Sequence, residues 1–420
     1  MSEFIDNANE SDRVKQLFDF TKRVRNGEPI ETVREEYNDA IEAVTPHDVL
    51  VIEHTALESG TPIPTIKEEI EPILETFRPG LETTDWDQPH EGHPVDNLMA
   101  ENEEIAEHLD IIAETRAELS DTDGPPLEAI GTLQESVRTL DAGVDLHFLT
   151  KENVLFPHLE SHLKYDRPLG VMWSLHDDIR STLGVLDTML SEPEANFDTV
   201  QTLFDRLDEL LEGMRFKEER IIYPVATEML EDAEWVEVQS NSAEIGYFGI
   251  DPPLPLLTDD PQSGDGVPAD TQLPTPEGDL APREVLLGLE TGTLSLEQIE
   301  LLFDTLPVDV TFVDENDTVR YFNNPADRIF PRSGSIVGRS VQNCHPPESV
   351  DRVEAILSAF RSGEEDRARF WIQNDGSFVV IDYYAMRGEN GEYRGTLEVS
   401  HEVSDIRELE GEKRLLDWEE

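Results

Sequence analysis

The sequence predicts a multidomain protein that is all-α in its N-terminal half and α+β in its C-terminal part. Three observations lead there. Residues 90–232 carry four long segments with apolar residues at helical spacing. Residues 252–283 then break into a Pro-, Gly- and Asp-rich stretch with little to bury. Beyond it, short runs of Val, Phe, Ile and Tyr with strand character replace the helical texture. A chain of 420 residues is too long for one core, so two or three domains are expected.

Taken in order, residues 10–80 read as short helices. Val14, Leu17, Phe18 and Phe20 begin one, Glu31–Val44 continues the spacing, and Pro46 lies near a helix start. The four long segments that follow are separated at Asp121–Pro126, Asp166–Gly170 and Ser191–Asn196, which predicts an antiparallel bundle. After the linker come a helix over Ser295–Leu306 and two strands, Val310–Val313 and Val319–Phe322, around the turn Asp314–Asp317. Three more strands follow, Phe370–Ile372, Phe378–Ala385 and Tyr393–Val403, with Asn390-Gly391 marking a hairpin between the last two. The expected boundaries are 1–85 for a small helical domain, 88–234 for the bundle, 235–290 for a linker with a short hairpin, and 291–420 for the α+β domain. The tail over Val403–Trp418 repeats apolar residues at Ile406, Leu409 and Leu416. It is long enough to dock on a partner or a second copy, but too short for a lasting coiled coil.

Asp and Glu number 93 against 32 Lys and Arg, a net charge of −61. The acids ignore the domain boundaries, and only seven lysines occur in the chain. Such a surface repels itself unless salt screens it, and at molar salt the Debye length falls to about 3 Å. Adaptation to a saline cytoplasm is the expectation. A basic footprint for nucleic acid is absent, so that function class is excluded. Cys344 is the single cysteine, so no internal disulfide can form, which fits a reducing compartment. No apolar run approaches the roughly 20 residues of a membrane-spanning helix. The N-terminal MSEFIDNANESDRVK has neither a basic nor an apolar signal region, so a cytoplasmic protein is expected.

The segments HPVDNLMAEN (93–102), HFLTKENVLFPHLE (147–160), VMWSLHDDIR (171–180) and FKEERIIYP (216–224) resemble the four helices of a hemerythrin-like, HHE-type cation-binding domain. Residues 1–80 resemble the small helical domain DUF438 that often precedes it. Relatives carry a Cys and a His where Ile70 and Ile73 stand here, so this part implies no chemistry. The stretches LSLEQIELLFDTLPVDVTFVDENDTVRYFN, GRSVQNCHPPESVDRVEAIL and FWIQNDGSFVVIDYYAMR resemble the PAS domain found after such modules. With the acidic surface, the whole resembles a haloarchaeal protein of this type.

Metal sites in bundles are built from inward-facing His and carboxylate on several helices. His93, His147 and His176 fall one per helix near an apolar face, and Glu218 can close the set from the fourth. Such donors suit iron, zinc or copper better than calcium, and the resemblance implies iron. Any one of these histidines alone would more plainly be a hydrogen-bonded core residue.

The resemblance implies a His-x-x-x-Glu pair on two helices, because residues four apart share a face. This chain departs from it. Lys151, not a carboxylate, stands four after His147, and Glu152 lies about 100° further round an α-helix. Met214, not histidine, stands four before Glu218, with Glu219 next along. Lys151 would put a cation where a second metal sits and would pair with Glu218. One iron, rather than two, is therefore the expected complement. The pairs His158/His162 and His90/His93 also have metal-ligand spacing but are more ordinarily solvated.

In the C-terminal domain, Cys344-His345-Pro346-Pro347 falls where helices cover the pocket of a PAS fold. Proline pushes the preceding residue out of the α region, so His345 is placed at a bend. Thiol and imidazole there could ligate haem or hold a polar effector. The plainer reading packs Cys344 as a small apolar residue and lets His345 cap a helix.

The expectation is an iron-binding sensor, responding to oxygen, nitric oxide or redox state, whose PAS domain binds a ligand or signalling partner or pairs with a second copy. The alternatives are a di-iron enzyme of iron–sulfur repair or nitric-oxide handling, which needs the ligands this chain lacks, and a metal-free adaptor with Lys151–Glu218 as a structural ion pair. No P-loop, kinase histidine box or cyclase motif marks an output domain.

Overall fold

A computed structural model describes residues 12–84, 86–120, 127–165, 167–191, 196–251, 286–289, 291–374, 376–388, 390–409 and 411. They divide into two compact units, a helical one drawn mainly from residues before 262 and a mixed one drawn mainly from those after. The Pro/Gly-rich stretch 252–283, the separator Asp121–Pro126, most of Ser191–Asn196 and the tail beyond 411 lie outside the described residues.

The helical unit begins with α1 (Asp12–Arg25), α2 (Ile30–Glu36), α3 (Asn38–Glu42), α4 (Pro46–Glu58) and α5 (Ile63–Glu82). Leu17, Phe20, Val33, Ile41, Leu50 and Phe77 form their shared core. Thr45 caps α4 in a reciprocal box with Asp48. Gly80 lets α5 cross close to α3, since a Cβ there would clash with the Ile41 carbonyl oxygen.

The bundle follows. α6 (Pro94–Ser120) and α9 (Arg167–Ser191) are plain α-helices. The other two long helices are each broken by a π-helical turn. α7 (Leu127–Thr150) runs through Lys151–Leu155 into α8 (Phe156–His162), and α10 (Phe197–Lys217) runs through Glu218–Ile222 into α11 (Tyr223–Met229). The Phe156 N–H donates to the Lys151 carbonyl and the Tyr223 N–H to the Glu218 carbonyl, both five-residue steps. Pro157 and Pro224 explain them: each lacks an N–H and crowds the carbonyl four residues back, so the ladder widens just before it. A π turn adds one residue and re-phases the side chains around it.

The bundle core (Leu133, Val137, Leu140, Phe204, Leu207) is continuous with that of α1–α5. Lys217 of α10, itself buried, pairs with Glu53 of α4 at 2.9 Å and ties the two parts together. Residues 235–245, expected in the linker, belong instead to α12 (Asp232–Ile245), whose Trp235 and Val238 are buried.

The mixed unit has a short hairpin, β1 (Leu286–Leu289) and β2 (Gly292–Ser295), then α13 (Leu296–Thr305), capped by Ser295 with Gln298. Strands β3 (Asp309–Asp314), β4 (Val319–Phe322), β5 (Arg367–Asn374), β6 (Ser377–Arg387) and β7 (Tyr393–Glu402) make an antiparallel sheet of order β4-β3-β7-β6-β5. Helix α14 (Pro347–Ser362) buries Leu357 and Phe360, and α15 (Ser404–Glu408) closes the described chain. The β3–β4 turn comes where the sequence places it, with Asp317 at φ 65°. Strand β5 is longer than Phe370–Ile372 because its polar ends still pair with β6, from Arg367↔Tyr384 to Asn374↔Ser377. This is the all-α bundle followed by the α+β domain that the sequence predicts. Among the described residues no helix is long and apolar enough to cross a membrane.

Candidate functional site

The π turns bring four bundle helices to one buried cluster. Glu218, fully buried, is its centre. Its Oε2 accepts from Asn102 at 3.0 Å and from the Tyr223 hydroxyl at 3.0 Å, and its Oε1 accepts from the Lys151 ammonium. Lys151 is also fully buried and sits 4.5 Å from the centre of the Phe148 ring. His147 lies between two carboxylates, with Nδ1 3.0 Å from Glu101 and Nε2 3.2 Å from Glu218. With both carboxylates ionised, an imidazole that bonds one through each nitrogen carries both protons. Both ring nitrogens of His147 are thus engaged in this arrangement. The other Glu101 oxygen accepts from the Phe248 backbone N–H at 2.8 Å.

The electrostatics agree with this geometry. Burial and Lys151 push the His147 pKa down, but Glu218 and Glu101 outweigh them and raise it. Burial pushes the Glu218 carboxyl up, yet Lys151 and His147 together hold it well below the usual carboxylate range. Lys151 is lowered by burial against the pull of Glu218. Burial, then Glu218, hold Tyr223 well above its ordinary value, so it remains a phenol donor. Two cations, Lys151 and His147, face two anions, Glu101 and Glu218, and supply the two positive charges a divalent ion would bring.

A second group abuts the first. The His176 Nδ1 lies 2.7 Å from Glu152, and Arg180 grips the same carboxylate at 2.9 and 3.1 Å. Phe148 stacks on the His176 ring at 3.9 Å. Burial first, then Lys151 and Arg180, lower the His176 pKa well below its usual value, so the ring is neutral. Its Nε2 is buried without a hydrogen-bond partner.

The helical phase assigned to Glu152 needs correction. On an α-helix it would point away from His147, but the π turn over Lys151–Leu155 turns both Lys151 and Glu152 inward, and Glu152 is 2% exposed. Glu219 is partly exposed beside Arg215 at 3.5 Å. His93 stands apart. It precedes α6, accepts from the Val95 N–H at 3.1 Å and rests 4.6 Å from the Trp235 ring centre, about 12 Å along the helix from Glu101. Burial first, then His90, push its pKa down to about 4. The residues that α6 brings to the cluster are Glu101 and Asn102, the pair that stands where the hemerythrin-like pattern often has Glu-His. His162 bonds Glu234 at 2.8 Å, and His158 Nδ1 lies 3.8 Å from the same carboxylate. Met214 lines, with Asn102, Leu109, His147, Phe148 and Glu218, a cavity of about 340 Å³ that opens beside the cluster.

These residues do not fit a two-iron centre. Its second position is taken by an ammonium group, both His147 nitrogens are engaged by carboxylates, and Glu218 is engaged on both oxygens. Among the described residues no group of three or more His, Cys, Asp or Glu side chains is arranged to hold a metal ion.

In the mixed unit, Cys344 and His345 part ways. Cys344 is buried, with Sγ 3.6 Å from the Ser340 carbonyl. His345 lines a cavity of about 290 Å³ between α14 and the sheet. Burial first, then Arg332 and Arg339, lower its pKa to about 4. Tyr383 and Glu398 line the same cavity. Strand alternation signals them, since both lie on the sheet face that carries Phe370 and Ile381.

Comparison with known proteins matches residues 93–226 to the hemerythrin HHE cation binding domain and residues 299–404 to a PAS domain. The chain thus carries a hemerythrin-like domain followed by a C-terminal PAS domain. Similar solved structures include a C-terminal domain from Streptococcus mutans, 34% identical, covering 30% of this chain and 99% of that one at a TM-score of 0.30. A PAS domain from Colwellia psychrerythraea is 17% identical, with 26% and 98% covered and a TM-score of 0.22. A sensory box sensor histidine kinase from Vibrio cholerae is 14% identical, with 25% and 90% covered and a TM-score of 0.20. No curated protein matches the chain.

Proposed function

We propose that this chain is a cytosolic signalling protein whose hemerythrin-like bundle is closed by a lysine–glutamate ion cluster in place of a metal, and whose PAS domain receives the ligand or partner. The observation that carries this reading is the Lys151–Glu218 contact at the centre of the bundle. A metal there would have to displace an ammonium already paired and desolvated, and separate Glu218 from four donors. Buried charges of this kind persist only when paired and hydrogen-bonded. The combination of a hemerythrin-like domain with a PAS domain supports the signalling role. Leu301 and Leu302 stand exposed on α13 and Leu306 just after it, which supports contact with a partner or a second copy there. Domain boundaries near 85, 250 and 290 belong to the same reading.

A second reading is favoured by one atom. The His176 Nε2 is a buried, neutral nitrogen without a partner. A single iron held there, with Lys151 drawn away from Glu218, would restore a sensor of oxygen, nitric oxide or redox state. Metal analysis of protein purified without an affinity-tag histidine run decides between them. No stoichiometric metal supports the lysine-closed bundle. One iron per chain establishes the second reading, and two irons overturn both in favour of a di-iron enzyme.

A further inference from the structure

The cavity between α14 and the sheet joins apolar walls to unpaired arginine. Val353, Ile356 and Leu357 of α14 face Phe370 and Ile372 of β5 and Ile381 of β6 across it. Arg352 lines the same space, on the α14 face that carries Ser349 and Ile356. Its side chain is exposed and has no ion pair or hydrogen bond among the described residues.

A second arginine stands near the polar end of the cavity. The Arg332 Nε is buried and has no hydrogen-bond partner. The charge of Arg332 acts on His345, Tyr383 and Glu398, and all three line the cavity. A buried guanidinium N–H without an acceptor costs free energy, and an acceptor brought by a ligand removes that cost. His345 adds a donor. Burial first, then Arg332 and Arg339, lower its pKa to about 4, so the ring is neutral and carries one N–H.

Glu398 is the one acid on the cavity wall. Burial raises its pKa despite Arg332 and Arg328, so negative charge is disfavoured at that carboxyl. With a proton it donates to an incoming oxygen instead of repelling it. The chain's charge of −61 repels anions at a distance, but molar salt screens that repulsion beyond about 3 Å, and the arginines at the cavity then decide. Guanidinium matches a carboxylate in shape as well as charge. A bare inorganic anion would leave the apolar walls unfilled.

We propose that the PAS cavity binds a small apolar carboxylate, with its head group among Arg352, His345 and Arg332 and its body between α14 and the sheet. About 290 Å³ is at the small end of ligand cavities and suits one ring or a short chain. The proposal rests on the reading of the PAS domain as the ligand-receiving part, and it adds the ligand's chemical class.

Isothermal titration calorimetry on the full chain in molar salt tests it, with 3-phenylpropionate, 3-phenylpropan-1-ol and 3-phenylpropan-1-amine as probes. The acid should bind at least tenfold tighter than the alcohol, and the amine should bind weakest. Arg332→Gln and Arg352→Gln should each weaken the acid several-fold and leave the alcohol unchanged. Near-ultraviolet circular dichroism checks the fold of both, and Arg352, being exposed, keeps the test open if Arg332→Gln does not fold. Ile356→Trp should remove binding of all three by filling the cavity. If acid and alcohol bind equally, or the folded arginine variants leave the acid unaffected, the carboxylate class is overturned while the ligand-receiving reading stands. Tighter binding of the amine likewise overturns it. If none of the three binds, the ligand-receiving reading falls as well.

Discussion

Lys151 and Glu218 each open a π-helical turn, on two different helices of the bundle, and their side chains hydrogen-bond to each other. The two turns are related by sequence: each begins six residues before a proline, Pro157 or Pro224. The same backbone device thus delivers both charges to one point. Removing one partner would leave the other buried and uncompensated, which costs about 3–5 kcal/mol. Lys151→Met should therefore lower unfolding stability by that amount in urea titrations. Adding Glu218→Gln should recover much of the loss, because no lone charge remains. Equal losses for the single and double variants would show that the pair is not coupled.

The second expectation concerns metal capacity. Lys151→Glu with Met214→His supplies a carboxylate and an imidazole at the places where this cluster holds an ammonium and a thioether. Freed from Lys151, Glu218 regains a lone pair, and an entering cation competes with the protons on His147. Iron bound per chain should rise towards two, with new visible absorption, as read by metal analysis and spectroscopy. His147→Ala in that background should reverse the gain. A double variant that binds no more iron than the parent would mean that Lys151 is not what keeps metal out.

Much of this was legible in the sequence. The four bundle helices and the succession of strands follow from apolar spacing and turn residues, and the pairing of Lys151 with Glu218 follows from the hemerythrin-like pattern, in which a carboxylate stands where the lysine is. The inward turn of Glu152 was not, because counting 100° per residue assumes an unbroken α-helix. The proline six residues after Lys151 was the available signal. Glu101 and Asn102 were legible only as a departure from the Glu-His that the hemerythrin-like pattern often has there, and their bonds to His147 and Glu218 needed the fold. His93 misled for the converse reason: it sits near an apolar face, but that face is Trp235 at the end of the bundle. Glu398 looks like one more acid among 93 until the register sets it beside Tyr383.

Acid should weaken the PAS domain through His345. Its folded-state pKa is lowered to about 4 by burial, with Arg332 and Arg339 adding to it. The unfolded chain takes up this proton near pH 6.5. Between those values the unfolded state binds more protons, so stability falls as pH drops from about 6.5 towards 4. Above pH 6.5 the contribution is complete. Thermal melts of the full chain at pH 7.5 and 5 should show this loss in the PAS transition, and His345→Gln should shrink it. Histidine NMR that places the His345 titration near 6.5 would remove the basis for the effect.

Salt dependence separates the surface from the core. With 93 acids against 32 bases, the folded surface repels itself, and low ionic strength leaves that repulsion unscreened. Helical circular dichroism should therefore be lost as salt is lowered from the molar range to tens of millimolar, and should return when salt is restored. The Lys151–Glu218 pair predicts the opposite behaviour for its own contribution. Both side chains are fully buried, so mobile ions reach neither. The stability lost on Lys151→Met should be nearly the same at every salt concentration at which both proteins fold. A loss that shrinks steeply as salt rises would place that pair within reach of solvent, and a spectrum unchanged down to tens of millimolar would end the reading of the acidic surface as an adaptation to salt.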